Sequence, residues 1–281
     1  MIRKYSAYLI ILFLLSFTGC ESLSLEEKSE EYPVLIEKVD SEVLKSLNEQ
    51  YHQNNNGLIC SPLNEYALTG YSRALFPNDV NPCLSRTELK KEVQFDNSFL
   101  EAAKQSLLKN SEFTGVIEIE ELVASEIIPL EGCTICEGPD INNVPLQWKL
   151  QFAAQKINGI EVSSTEIVVY LDANGVNRIW GNWYKPVDPG FIEFGSNQAQ
   201  EVVIGLKLRF ANERNQIFEQ VITKEHIVGD PELRFSTINV DEGLEIHKNW
   251  EISLLQENSE RIRWKVFIST VTGELLDITL L

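Results

Sequence analysis

The hydrophobic rhythm of the chain changes partway along. From Pro33, the apolar residues Ile36, Val39, Val43, Leu47 and Tyr51 recur at the spacing that lines one face of a helix. "NNNG" at 54–57 ends that stripe, and residues 58–95 follow without a period, interrupted by Pro62, Pro77 and Pro82, with a short helix expected around Glu65–Leu75. Asp96 or Asn97 then caps a second stripe of Phe99, Leu100, Ala103, Leu107 and Leu108. After Gly115 the period falls to two. Ile117 and Ile119 alternate with glutamates, Trp148, Leu150 and Phe152 with polar residues, and Ile167, Val169 and Leu171 lead into "DANG". There Asn174-Gly175 offers the positive φ angles of a tight turn, which predicts a hairpin over 166–180.

"SNQAQEVVIG" (196–205) reads either as a capped helix ending at Gly205 or as the start of a strand. Alternation of Val202, Ile204, Leu206, Leu208 and Phe210 favours strand for its second half. "ANERNQ" turns the chain back into Ile217–Ile222, and the carboxyl end alternates again through Trp250, Ile252 and Leu254, then Trp264, Val266 and Ile268, before Thr272-Gly273. The order of elements thus repeats: "WKLQF" before "IVVYLDANGVNRI", and "WEISL" before "WKVFISTVTGELLDI". A helix laid on one face of such a sheet buries its alternating residues, which predicts an α+β fold. The expected organisation is a helical and irregular N-terminal region (33–95) followed by two antiparallel-sheet-plus-helix units, 96–188 and 189–281.

The first nineteen residues belong to another class. Arg3 and Lys4 precede the apolar run Ala7–Phe17, and eleven helical residues span about 16 Å, roughly half a bilayer core, so 1–19 reads as an export signal. The run closes on Phe17-Thr18-Gly19-Cys20, which resembles the lipobox of bacterial lipoproteins, with Phe17 where that family usually has Leu. The resemblance implies cleavage before Cys20 and acylation of its thiol and new amino group. Two or three acyl chains, at about 0.8 kcal/mol per buried methylene, would make attachment effectively permanent. Residues 20–32, polar and acidic, read as a tether. The expected location is the bacterial cell envelope, at the outer membrane or cell surface.

Charge narrows the partners. The formal net charge is -18, and loss of Arg3 and Lys4 with the leader takes it to -20. Such a field repels nucleic acids and anionic headgroups, so no nucleic acid is expected as a partner.

Chemistry has few candidates. Beyond Cys20 stand Cys60, Cys83, Cys133 and Cys136, an even number in an exported chain, with Cys133–Cys136 and Cys60–Cys83 the most local of three disulfide pairings. A redox C-x-x-C needs a depressed thiol pKa, whereas Glu131, Glu137 and Asp140 crowd this one and Gly132, Gly138 and Pro139 make it a loop. A thiol–disulfide protein using Cys133 and Cys136 therefore stands as an alternative to a structural bridge. His52, His226 and His247 lie outside any H-E-x-x-H, no metal or other cofactor is expected, and "GYSRA" around Ser72 falls one residue short of a nucleophile elbow. In "RIWGNWYKP", alternation turns Trp180 inward. Trp183 and Tyr184 either form an exposed anchor for a partner or pack under the next loop.

"NGIEVSSTEIVVYLDANGVNRIWGNW" (158–183) resembles the FTP segment of thermolysin and fungalysin propeptides, with Gly159, Ile160, Val162, Asp172, Gly175 and Gly181 at the motif positions. "NWEISLLQENSERIRWKVFISTVTGELLDI" resembles the PepSY domain of the same propeptides; it keeps Thr272, Gly273 and Glu274 but has Ser269 and Thr270 where that family has Asp-Ala. The likeness spans 96–281 in outline. It implies cystatin-like sheets wrapped on helices and a propeptide-like role toward a peptidase, and it carries over no catalytic residue. The expected function is thus a non-enzymatic, membrane-anchored lipoprotein that binds a protein or peptide partner, or alternatively a structural component of the envelope.

Overall fold

Side chains that take over orphan backbone amides set the starts of the two long helices. Asp40 accepts from the amide of Glu42 at 2.9 Å and opens α1 (Ser41–Asn54); Asp96 accepts from that of Ser98 at 2.6 Å and opens α2 (Asn97–Lys109), the helix its sequence predicts. The computed structural model describes residues 32–70, 91–134, 143–185, 191–211, 216–257 and 261–281, all within the unit Glu31–Leu281. The export signal, Cys20 and most of the tether lie outside the described residues. Among the described residues, no helix is long and apolar enough to cross a membrane.

The N-terminal region departs from a purely helical reading. Val34–Glu37 is a strand, β1, since Val34 and Ile36 fit a period of two as well as a helical stripe. Strand pairing decides the matter: β1 runs antiparallel to Gly243–Ile246, with Ile36 in the apolar cluster of Ile246. The described residues after α1, 55–70, form turns and an isolated bridge between Leu63 and Thr69 rather than a second helix.

After α2 come a single turn, α3 (Ser111–Thr114), and then β2 (Ala124–Cys133), β3 (Asn143–Phe152), the small hairpin β4 (Lys156–Ile157) and β5 (Ile160–Glu161), β6 (Glu166–Asp172) and β7 (Gly175–Asn182). Strands β2-β3-β6-β7 make one antiparallel sheet in that order. The second half repeats the plan: α4 (Ser196–Val203), a separate hairpin of β8 (Lys207–Ala211) and β9 (Ile217–Val221), then β10 (Ile227–Asn239), β11 (Gly243–Leu255), β12 (Ile262–Ser269) and β13 (Leu275–Leu280). Here β11 pairs with β10 on one side, with β12 and β1 sharing its other side, and β13 follows β12.

Each helix covers the inward face of its own sheet. Ala103 and Leu107 of α2 pack with Leu150, Phe152, Ile167 and Val169; Ala199 and Val203 of α4 pack with Ile252, Leu254, Trp264 and Val266. A smaller cluster of Ile157, Val162, Phe235 and Ile246 joins β4–β5 to β10 and β11.

The repeat extends to an atomic detail. Trp148 donates its indole N–H to the carbonyl of Val93 at 2.9 Å, just ahead of α2, and Trp250 donates its own to the carbonyl of Phe194 at 2.7 Å, just ahead of α4. In both halves a strand tryptophan therefore latches the segment that leads into the covering helix. Trp148→Phe and Trp250→Phe should each lower unfolding stability by about 1–3 kcal/mol, read by urea titration, because each strands a carbonyl in a half-buried site.

Several local expectations change. Residues 116–123 form no strand: the amide of Leu122 turns back to Ile119 O at 3.0 Å and that of Val123 to Glu121 O at 3.0 Å, leaving Ile117 exposed. Helix α4 runs to Val203 because Ala199 and Val203, four apart, face the core; Gly205, at φ +91°, then turns the chain into β8. The two Asn-Gly pairs also differ. Asn158 and Gly159 both take positive φ, +51° and +80°, and close β4–β5 as a primed turn. At 174–175 only Gly175 does, at +109°, while the amide of Asn174 bonds Asp172 Oδ1 at 2.7 Å.

That second turn brings an extra residue, Asn177, into β7, for the register slips between Tyr170↔Arg178 and Leu171↔Val176. A one-residue slip reverses which face each side chain occupies. Ile179 therefore points into the core, and Trp180, expected inward, sits half-buried on the opposite face beside Tyr170.

Tyr51 is an ionisable group within the first core. It is fully buried, and burial pushes its phenol well above the ordinary value. A raised pKa means the neutral phenol is favoured in the fold. Its contribution is complete below about pH 10 and is lost as pH rises toward the folded-state value. Tyr51→Phe should leave neutral-pH stability nearly unchanged and flatten the alkaline fall in a denaturation series.

Candidate functional site

A cavity of about 370 Å³ opens where the N-terminal segment meets both halves of the fold. Its deepest walls are the buried Phe113 of α3 and Ile246 of β11, joined by Ile36 of β1 and Leu47 of α1. Tyr66, Ala67 and Leu68 form a third side and Tyr184 a fourth; two exposed charges, Glu112 and Lys185, complete the lining.

The local sequence explains why these groups converge. In "LNEYALT" (63–69), Asn64 Oδ1 accepts from the amides of both Tyr66 and Leu68 at 3.0 Å, which folds the loop on itself and leaves Ala67 at φ +56°. Thr69 fastens the loop to the first sheet: its hydroxyl donates to Gly181 O at 2.6 Å and its amide to Phe113 O at 2.8 Å. Tyr66 then donates from its phenol to Asn239 Oδ1 at 3.0 Å. Opposite, the buried side chain of Gln155 grips the backbone of Tyr184 at two points, accepting its N–H at 2.8 Å and donating to its carbonyl at 2.6 Å. Burial raises the phenol pKa of both tyrosines, so both are neutral at ordinary pH.

Among the described residues, the lining carries a single carboxylate, a single ammonium and no imidazole or thiol. Such a surface holds an apolar group and offers hydrogen bonds at its edge. At this volume it stands near the lower end of the roughly 300–1,000 Å³ typical of ligand pockets, room for a small ligand or for one or two side chains.

A polar chain lies elsewhere, against β11. Glu245 Oε2 accepts from His247 Nε2 at 2.9 Å, His247 Nδ1 faces the Tyr32 hydroxyl at 3.2 Å, and that hydroxyl meets Ser269 Oγ at 2.9 Å. With the Nε2 proton committed to the carboxylate, Nδ1 of a neutral ring accepts from Tyr32 and the Ser269 hydroxyl donates to it. Burial holds the Tyr32 phenol above its ordinary pKa, against the Ser269 hydrogen bond that lowers it, so it stays protonated and is no nucleophile. The chain pins the start of the described polypeptide to β11 and β12. Ser269 also accepts the amides of Val271 and Thr272 at 3.2 and 3.0 Å, which caps the turn after β12.

The remaining residues singled out from sequence are dispersed. Trp183 is not an exposed anchor: it is 1% exposed, in the first core, with its amide bonded to Thr114 O at 2.8 Å. Packing beneath α3 claims its ring. Tyr184 does reach a site, as a wall of the cavity. Cys60 is buried, its sulfur 3.1 Å from Asn177 O, and Cys133 ends β2; Cys83, Cys136 and Ser72 lie outside the described residues. His226 caps its own turn through the amide of Thr223 at 3.0 Å. Among the described residues, no three His, Cys, Asp or Glu side chains gather as metal ligands would. Sequence reading missed Tyr66, Leu68, Glu112 and Lys185, which come from separate segments and share no period.

No family model matches the chain, and no curated protein matches it. Among solved structures, the Bacillus megaterium YpeB C-terminal domain is similar at 12% identity and a TM-score of 0.30, over 87% of this chain and 99% of that chain, a likeness too slight to carry an argument.

Proposed function

We propose that this chain is a non-enzymatic, membrane-anchored envelope lipoprotein, held through an acylated Cys20, that binds a partner protein by taking one of its apolar side chains into the Tyr66–Tyr184 cavity. The observation that carries this reading is the cavity itself, an apolar recess with two neutral phenols beside it. A lining with one acid and one base suits a peptide, whose amides both donate and accept, better than a ligand of one charge. The hairpins at 158–183 and 249–278 resemble propeptide modules, which makes an exported peptidase the first partner to try. Disulfides Cys60–Cys83 and Cys133–Cys136, the most local pairing, are part of the same proposal.

Selection of random heptapeptides against the full chain tests the reading. The selected peptides should share an apolar anchor. Leu68→Trp, which fills the recess, should weaken them about tenfold or more, the loss of a side chain's burial, at an unchanged unfolding midpoint. Tyr66→Ala serves should Leu68→Trp fail to fold. Undiminished affinity in a folded variant would move the binding site elsewhere, with the edge strand β13 and its exposed Leu275 and Leu280 next in line.

A further inference from the structure

The register slip in β7 that turns Trp180 outward also turns out Arg178, whose guanidinium rests between two aromatic rings. Its guanidinium carbon lies 3.8 Å from the centroid of the Tyr170 ring and 4.8 Å from that of Trp180, two rings that meet edge to face at 71°. The two aromatics form a corner that fixes the plane of the guanidinium on the sheet face opposite α2. Yet Nε is buried without a hydrogen-bond acceptor, and no carboxylate pairs with Arg178 among the described residues. Arg209 pairs with Glu219 and Arg234 with both Glu161 and Glu232.

A missing partner is notable in a chain with 42 acidic and 24 basic residues. The carboxylates on the neighbouring strands are turned to other work. Glu126 faces Lys149 at 3.4 Å, Glu166 takes the Gln151 amide at 3.4 Å, and Asp172 accepts from Asn174 N and from Asn177 Nδ2 at 2.7 and 2.6 Å. Lys149 stands directly across Tyr170 from Arg178, since both pair with Tyr170 in register. The strip Lys149–Tyr170–Arg178 therefore has an ion-paired lysine at one end, an aromatic floor, and Arg178 without a carboxylate at the other.

We propose that Arg178, oriented by Tyr170 and Trp180, is a binding site for a single oxyanion, a carboxylate or a phosphate carried by a ligand. A guanidinium held in one plane offers parallel N–H donors to such a group without first losing rotamer freedom. The site is separate from the cavity and does not depend on it.

The test follows the Arg178 Nε–Hε resonance of the full chain in a non-ionic detergent at constant ionic strength, during titration with sodium acetate, inorganic phosphate or sodium chloride. A saturable shift with acetate or phosphate, and none with chloride, is expected. Saturation by acetate alone assigns the site to carboxylates, and by phosphate alone to phosphates. Arg178→Lys, followed through backbone amides of β6 and β7, should bind about tenfold more weakly with the fold intact, as loss of a charged hydrogen bond implies. The absence of saturation with both anions, an equal response to chloride, or unchanged affinity in Arg178→Lys would overturn the assignment.

Discussion

Trp183→Ala should be among the most damaging single substitutions in the chain. Deleting a fully buried indole removes its transfer free energy and leaves a cavity, a loss of about 3–5 kcal/mol. A domain with a total stability of roughly 5–15 kcal/mol would feel this as a large drop in the denaturation midpoint. The ring sits in the core shared by α2, α3 and the first sheet, beside Phe113 and Tyr51. Its Nε1 makes no hydrogen bond, so Trp183→Phe should cost much less. The adjacent Tyr184→Ala should cost the fold less, since that ring is only half-buried and Gln155 still holds the residue's backbone, while enlarging the cavity. Wild-type stability in Trp183→Ala would contradict the buried placement.

Gly115→Ala should be comparably severe, for a steric reason. Gly115 ends α3 at φ +72°, and an added Cβ would lie 1.9 Å from the carbonyl oxygen of Trp183. Backbone cannot yield as a flexible side chain would, so the loss should exceed about 3 kcal/mol, beyond the roughly 1–2 kcal/mol of a left-handed conformation alone. Gly159→Ala isolates the second effect, for it shares the positive φ, +80°, but meets nothing within 4 Å. Equal losses at 115 and 159, measured by urea unfolding, would show that the close approach of α3 to Trp183 does not exist.

The sequence made the repeated elements legible where one pattern dominated. Asp96 and the stripe behind it give α2, alternation gives β3 and the paired stretches of β11 and β12, and a short apolar run before Asp172-Ala-Asn-Gly gives β6. It failed where two patterns fitted the same residues, as at Val34–Glu37, where pairing with β11 selects the strand, and at 202–203, where the four-residue spacing of Ala199 and Val203 prevails over alternation. The aromatic corner was misread for a subtler reason. Asn177 adds one residue to β7, and every inward or outward assignment after it reverses. No hydrophobicity pattern announces such a bulge, because it arises from the turn geometry at Asp172–Gly175. The cavity was out of reach for another reason: its walls come from β1, α1, the 63–69 loop, α3, β11 and Tyr184-Lys185, and only the folded chain brings them together.

A crystal structure of the full chain with a selected heptapeptide bears most directly on the proposed function. The peptide's apolar anchor should lie inside the cavity, in contact with Leu47 and Phe113, with its backbone near the hydroxyls of Tyr66 and Tyr184. A peptide found along β13, or anywhere else that leaves the cavity unfilled, would contradict it.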